Sequence, residues 1–122
     1  MSERVSSAGE DRFWELAAPL LEQAGVTRST MMGFPCLRLD GDFFASCDHR
    51  NGNLVVKLDE PRVNQLLDAG NADPFAPSGR PFREWASVPL QKHRSWGRLL
   101  DEALELSVQR GSGPPSRRRK RA

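Results

Sequence analysis

Residues 31–58 read MMGFPCLRLDGDFFASCDHRNGNLVVKL. Apolar runs are broken here by Asp40-Gly41 and Asn51-Gly52, which predicts three short strands joined by two tight turns. Asn51-Gly52 suits a two-residue type I′ loop, because both central residues of that loop need positive φ. Such a loop pairs Arg50 with Asn53, Asp48 with Val55, Cys47 with Val56 and Ala45 with Leu58. Side chains alternate along a strand, so Phe43, Ala45 and Cys47 share a face with Leu54, Val56 and Leu58. Phe44, Ser46, Asp48, Val55 and Lys57 take the other face. One apolar and one mixed face describe an antiparallel sheet covered on a single side. At Asp40-Gly41, a two-residue loop sets Leu37 and Leu39 opposite Phe44 and Asp42. A three-residue loop through Asp42 sets them opposite Ala45 and Phe43. A one-residue slip moves every side chain to the other face, so burial selects the longer loop, with room for a bulge.

Working outward, Asp11 to Ala24 places Phe13, Leu16, Ala17, Leu20, Leu21 and Ala24 at the spacing of an amphipathic helix. Pro19 should kink or split it, and Gly25 is a candidate C-terminal stop. Residues 27–33 read as a strand. Asp59-Glu60-Pro61 opens a short helix with an acidic cap and a proline where the missing donor matters least. Val63, Leu66 and Leu67 form its inward stripe, and Gly70-Asn71 ends it. Residues 71–80 (NADPFAPSGR) read as a loop, residues 82–88 (FREWASV) as a last strand, and Gln91 to Gln109 as a second long helix. The expected fold is α+β: one antiparallel meander sheet covered on one face by the N- and C-terminal helices. Its apolar face is assigned Leu37, Leu39, Phe43, Ala45, Cys47, Val56 and Leu58, covered by Phe13, Leu20, Leu99 and Ala103. Residues 1–9 are expected to be disordered, 10–109 to form one domain, and 110–122 to be a flexible linker and basic tail.

The chain has 122 residues, 38% hydrophobic and 28% charged, as suits a single globular domain. It has no long apolar run and no visible secretion signal, and only two cysteines. A cytoplasmic protein without membrane insertion is expected. The formal net charge is +2, from 18 basic and 16 acidic residues. Six of the cations, Arg110, Arg117, Arg118, Arg119, Lys120 and Arg121, lie in residues 110–122, which hold no acid. The other 109 residues therefore carry 12 basic against 16 acidic side chains, a net of −4.

Several short motifs carry a resemblance. Met31-Met32-Gly33, Leu37-Arg38-Leu39-Asp40-Gly41 before Phe43-Phe44-Ala45, and Leu54-Val55-Val56-Lys57-Leu58 are followed by Asp73-Pro74-Phe75, Arg83-Glu84-Trp85 and Val88-Pro89. In that order they resemble the N-terminal domain of the TfoX/Sxy family and the related MmcQ/YjbR family of small bacterial proteins, over roughly Phe13 to Val108. The resemblance implies a compact α+β fold. It implies a role in regulating natural competence for TfoX and a suggested DNA-binding role for YjbR-like proteins. It supplies no set of site residues to carry over.

Candidate chemistry is sparse. Cys36 and Cys47 fit no zinc spacing; the longer-loop register points them to opposite faces, the other makes them diagonal neighbours of poor geometry, and no disulfide is expected in either. Cys47 and His49 share a strand face but stand roughly 6–7 Å apart at Cα, given the strand rise, too far for a nucleophile and its base. Asp40, Asp42 and Asp48 match no calcium loop and read as turn residues. His93 reads as a solvated surface residue, and Trp14, Trp85 and Trp96 as packing residues. No catalytic, cofactor or metal residue is assigned, and no enzymatic activity is expected. The expected role is a non-enzymatic regulatory or adaptor domain with a nucleic-acid or protein partner. Its nucleic-acid contacts would come from Arg117, Arg118, Arg119, Lys120 and Arg121. One alternative is DNA binding by a body patch of Lys57, Arg62, Arg80 and Arg83. Another is a small-molecule site or an enzyme using the mixed sheet face.

Overall fold

Six antiparallel strands, in the order β1-β2-β3-β4-β6-β5, form one sheet in the computed structural model of the chain. The structure describes the backbone of residues 3–31, 33–48, 50–76 and 79–111, and the side chains of residues 8–30, 33–48, 50–76 and 79–110. Along the chain run α1 (Glu3–Leu20), β1 (Val26–Met31), β2 (Phe34–Leu39), β3 (Asp42–Asp48), β4 (Asn53–Lys57), α2 (Glu60–Asp68), β5 (Asp73–Pro74), β6 (Trp85–Val88), a 3-10 turn (Leu90–Ser95) and α3 (Trp96–Gly111). The fold is α+β, and the meander of β2, β3 and β4 stands where the sequence reading placed it.

Each helix buries one stripe. Phe13, Ala17 and Leu20 of α1, Val63 and Leu66 of α2, and Trp96, Leu99, Leu100, Ala103 and Leu104 of α3 join a single core. Those intervals of three and four put the residues on one side of each helix. The core's floor is the inner sheet face. Leu37, Ala45, Val56 and Ala86 lie side by side across four strands, with Cys47, Leu54 and Val88 in the next row but one. Asp59 caps α2 by accepting from the Arg62 N–H at 3.0 Å.

Both hairpins differ in detail from the sequence reading. Asp40 (φ 51°) and Gly41 (φ 94°) are both left-handed, and Leu39 pairs with Asp42. This is the two-residue loop that burial had argued against. The conflict is resolved by a bulge: Arg38 pairs with Phe43 but Leu37 pairs with Ala45, which leaves Phe44 as the extra residue. Phe44 turns inward with Ala45 and is fully buried. Phe43, assigned to the core from sequence, is instead half-exposed beside Arg38. The second hairpin needs four loop residues, because Asp48 pairs with Asn53 and Ala45 with Val56. The register moves by two, an even number, so apart from Phe43 and Phe44 the side chains of β3 and β4 keep their expected faces. The Asp48 carboxylate accepts from both the backbone and the guanidinium of Arg50, each at 3.1 Å, and its carbonyl accepts from Gly52 N–H at 2.7 Å. These bonds favour the wider loop.

The helices also begin and end elsewhere. α1 starts at Glu3, so the expected disordered N-terminus is helical from there. Within it, buried Gly9 lies on the β3–β4 loop, where a Cβ would collide with the Gly52 carbonyl oxygen. α1 stops one residue past Pro19, and Gly25 serves the turn into β1, with its carbonyl accepting from Asp40 N–H at 2.8 Å. The long final helix is a 3-10 turn followed by α3. β6 begins at Trp85, because Phe82 to Trp85 is a turn closed by Trp85 N–H to Phe82 carbonyl at 3.0 Å. Two residues of the expected loop, Asp73 and Pro74, form the edge strand β5. Among the described residues, no helix is long and apolar enough to cross a membrane.

The bulge makes a direct prediction. Phe44→Ala should destabilise the protein by about 3–5 kcal/mol, as for a fully buried phenylalanine. Phe43→Ala should cost about 1 kcal/mol. Urea denaturation of the two variants checks this, and the reverse ranking would place the bulge wrongly.

Candidate ligand surface

Candidate residues from the sequence divide by sheet face. Cys47 points into the core, and Cys36 lies on the outer face between Ser29 and Ser46. Both thiols are free and buried. Burial pushes the Cys47 thiol up to about 12, with the carboxylates of Glu10 and Asp48 adding to the effect. Burial also raises Cys36, against the opposing pull of Arg38 and Ser29. A thiol that stays protonated and shut from solvent is a poor nucleophile. His49, the other half of the sequence-level pair, lies outside the described residues.

The three aspartates do not converge. Asp40 and Asp42 flank the β2–β3 turn, and Asp48, at the far end of β3, is neutralised by Arg50. Among the described residues, no three His, Cys, Asp or Glu side chains gather as for a metal ion. His93 is half-buried rather than solvated, and its Nδ1 is closed off without a hydrogen-bond partner. Trp96 is core, with its indole N–H donating to the Pro89 carbonyl at 3.3 Å. Trp14 packs at the core's edge, donates to Glu10 at 3.3 Å and carries Arg28 over its ring at 4.3 Å.

Of the body patch expected from sequence, Arg62 is already committed to an acid. Arg62 lies on α2 and forms a bidentate pair with Glu102 at 2.8 and 3.0 Å, which raises its pKa further. The groove between α2 and α3 around it is lined by Asp59, Asp101, Glu102 and Glu105 against Arg62 and Arg98. That excess of acid repels a polyanion. Lys57 belongs to the other side of the sheet, and Arg80 and Arg83 are exposed in the segment that leads into β6.

That other side is the outer sheet face. Ser29, Cys36, Ser46, Val55, Ser87 and Asp73 form one continuous row across all six strands. None of the described helices contributes its core stripe to this face. Around the row, aromatic rings alternate with cations. Arg38 sits over Phe43 at 4.3 Å, Arg50 over Phe34 at 5.2 Å, and Lys57 pairs across strands with Trp85. At the β5–β6 edge, Phe75 meets Phe82 at 5.6 Å and Trp85 at 6.3 Å. The sequence reading missed this trio. Its signal was present in Arg80-Pro81-Phe82-Arg83-Glu84-Trp85, where cations and rings alternate. Reading that segment as strand put Phe82 on the face of Ala86, whereas the turn frees it.

The end of α3 returns to the same place. Arg110 reaches Glu84 at 3.2 Å, and the Glu84 carbonyl accepts from Leu58 N–H at 2.8 Å. The chain therefore leaves α3 beside residues 79–84. Arg117, Arg118, Arg119, Lys120 and Arg121 themselves lie outside the described residues.

Comparison with known proteins finds no matching family model, no similar curated protein and no similar solved structure, so nothing there identifies a TfoX- or YjbR-like family.

The Cys47 environment sets a pH dependence. The thiol ionises near 9.0 ordinarily and near 12 in the fold, so its protonated form is the one the fold favours. The contribution of this group to stability is fully present below pH 9 and is lost as pH rises from there toward 12, by up to about 1.4 kcal/mol per pH unit. Cys47→Ala should flatten that fall in urea midpoints taken from pH 8 to 11. Neither native thiol should react with iodoacetamide at pH 8, and both should react in denaturant. Rapid native alkylation of Cys47 would contradict its placement.

Proposed function

We propose that this chain is a non-enzymatic regulatory or adaptor domain of the TfoX/YjbR type that associates with nucleic acid through Arg117, Arg118, Arg119, Lys120 and Arg121. The supporting observation is the separation of charge: a body of net −4 bears a segment of six cations and no acid. Such a segment attracts phosphates without reading sequence. The strongest sequence-level candidate for catalysis, Cys47, is buried and held protonated, which argues for a binding role over an enzymatic one. A contribution from the body itself is favoured at Lys57, Arg80 and Arg83, because Arg62 is committed to Glu102 and the root of the basic segment lies beside residues 79–84.

Duplex affinity should depend steeply on salt. Neutralising about five phosphates gives a log–log slope near −4.5. A chain ending at Arg110 should lose most of that affinity and keep its unfolding midpoint, because the deleted residues are expected to bury no area. A salt titration of duplex binding by the full and shortened chains decides the matter. Sequence-selective binding that survives the truncation would refute the assignment to the basic segment.

A further inference from the structure

Resting on the nucleic-acid reading above, we infer that the turn at residues 79–84 holds one unstacked base of a single-stranded nucleic acid against the ring of Phe82, with Arg80 and Arg83 meeting the flanking phosphates. Phe82 is 45% exposed, one of two large hydrophobic side chains so exposed among the described residues. Its backbone is pinned on both sides: its N–H donates to the Phe75 carbonyl at 2.9 Å and its carbonyl accepts from Trp85 N–H at 3.0 Å. The ring itself is braced by Phe75 in a T-shaped contact at 81°. A T-shaped contact engages only one edge or one face of a ring, and the exposure of Phe82 leaves ring surface on which a base can stack. A ring already held in place loses little freedom when a base stacks on it.

The surrounding charge fits the same ligand. Arg80 and Arg83 are exposed, and among the described residues neither has an ion-pair partner. Glu84 is the single acid between residues 79 and 88, and Arg110 engages it. Trp85 and Lys57 extend the alternation of ring and cation onto the outer sheet face. Sequence-tolerant single-strand sites are built from aromatic rings for bases and cations for the backbone. In a duplex the base faces are covered by their neighbours, so a duplex would meet the cations and not the ring. The ring and the charge therefore make separable contributions.

The test uses the full chain, a labelled oligothymidylate of about a dozen nucleotides, and a duplex carrying the same number of phosphates. Phe82→Ala should weaken single-strand binding about fivefold or more, the low end of what one stacked base contributes. It should leave duplex binding unchanged, and Phe82→Trp should restore the single-strand affinity. The Arg80→Ala/Arg83→Ala pair should weaken both ligands. Near-ultraviolet circular dichroism of each variant confirms that the Phe75–Trp85 packing persists. If Phe82→Ala leaves both affinities unmoved while truncation at Arg110 abolishes them, the base site is wrong and the basic-segment reading stands. A Phe82 patch that serves a protein partner would give that same result. If the full chain binds neither oligonucleotide at low salt, both readings fall.

Discussion

Phe44 is one residue too many for a regular hairpin, and the fold depends on how β3 absorbs it. The Asp40-Gly41 turn is tight, with both residues left-handed. A regular ladder running back from that turn would set Leu37 opposite Phe44 and send Ala45 and Cys47 outward. The bulge inserts Phe44 after Arg38 has paired with Phe43, and restores Leu37 to Ala45. Two consecutive residues, Phe44 and Ala45, then face the helices. The result is an inner face that is apolar from Leu37 to Val88, and all three helices close on it. Bulges also sharpen local twist, which suits a sheet that must wrap one helical layer.

The same event shapes the outer face. With Phe44 turned inward, Phe43 and Arg38 are left together outside, with the guanidinium over the ring. The outer row of Ser29, Cys36, Ser46, Val55 and Ser87 is small and partly polar, and its polar groups are bonded: Ser46 donates to the Pro35 carbonyl at 2.9 Å and Asn53 to Ser87 at 3.2 Å. Larger side chains stand around this row, and they are aromatic or basic. The asymmetry is chemical as well as geometric. Acidic residues line the groove between α2 and α3, while the Phe75, Phe82 and Trp85 rings gather at the β5–β6 edge, next to Arg80 and Arg83, which have no ion-pair partner among the described residues.

α1 shows how a sequence can understate an element. Residues 1–9 lack apolar periodicity, so pattern alone assigns them no helix. Yet the helix reaches back to Glu3, and at Gly9 it touches the backbone of the second hairpin. The contact is between two glycines, which carry no hydrophobic signal. It is recognisable only once the β3–β4 loop is seen to extend to four residues. Phe82 shows the converse. Its alternation with Glu84, Ala86 and Val88 matches a strand, but the Phe82–Trp85 turn intervenes and moves the ring to the surface.

From the amino-acid order alone came the three meander strands, the capped helix after Asp59, the division of side chains between two faces, and the opposition of an acidic body to a basic segment. These follow from strand alternation, helical spacing, capping chemistry and charge, all of which are local. Face assignment survived even where the second register was wrong, because a shift of two preserves side-chain parity. Loop lengths, the Phe44 bulge, the reach of α1 and the exposure of Phe82 were decided only by the tertiary structure. Asp-Gly and Asn-Gly each tolerate more than one loop length. The choice between them rests on which residues the packed helices can cover, a long-range condition that no local pattern encodes, together with the N–H groups from which the buried Asp48 accepts.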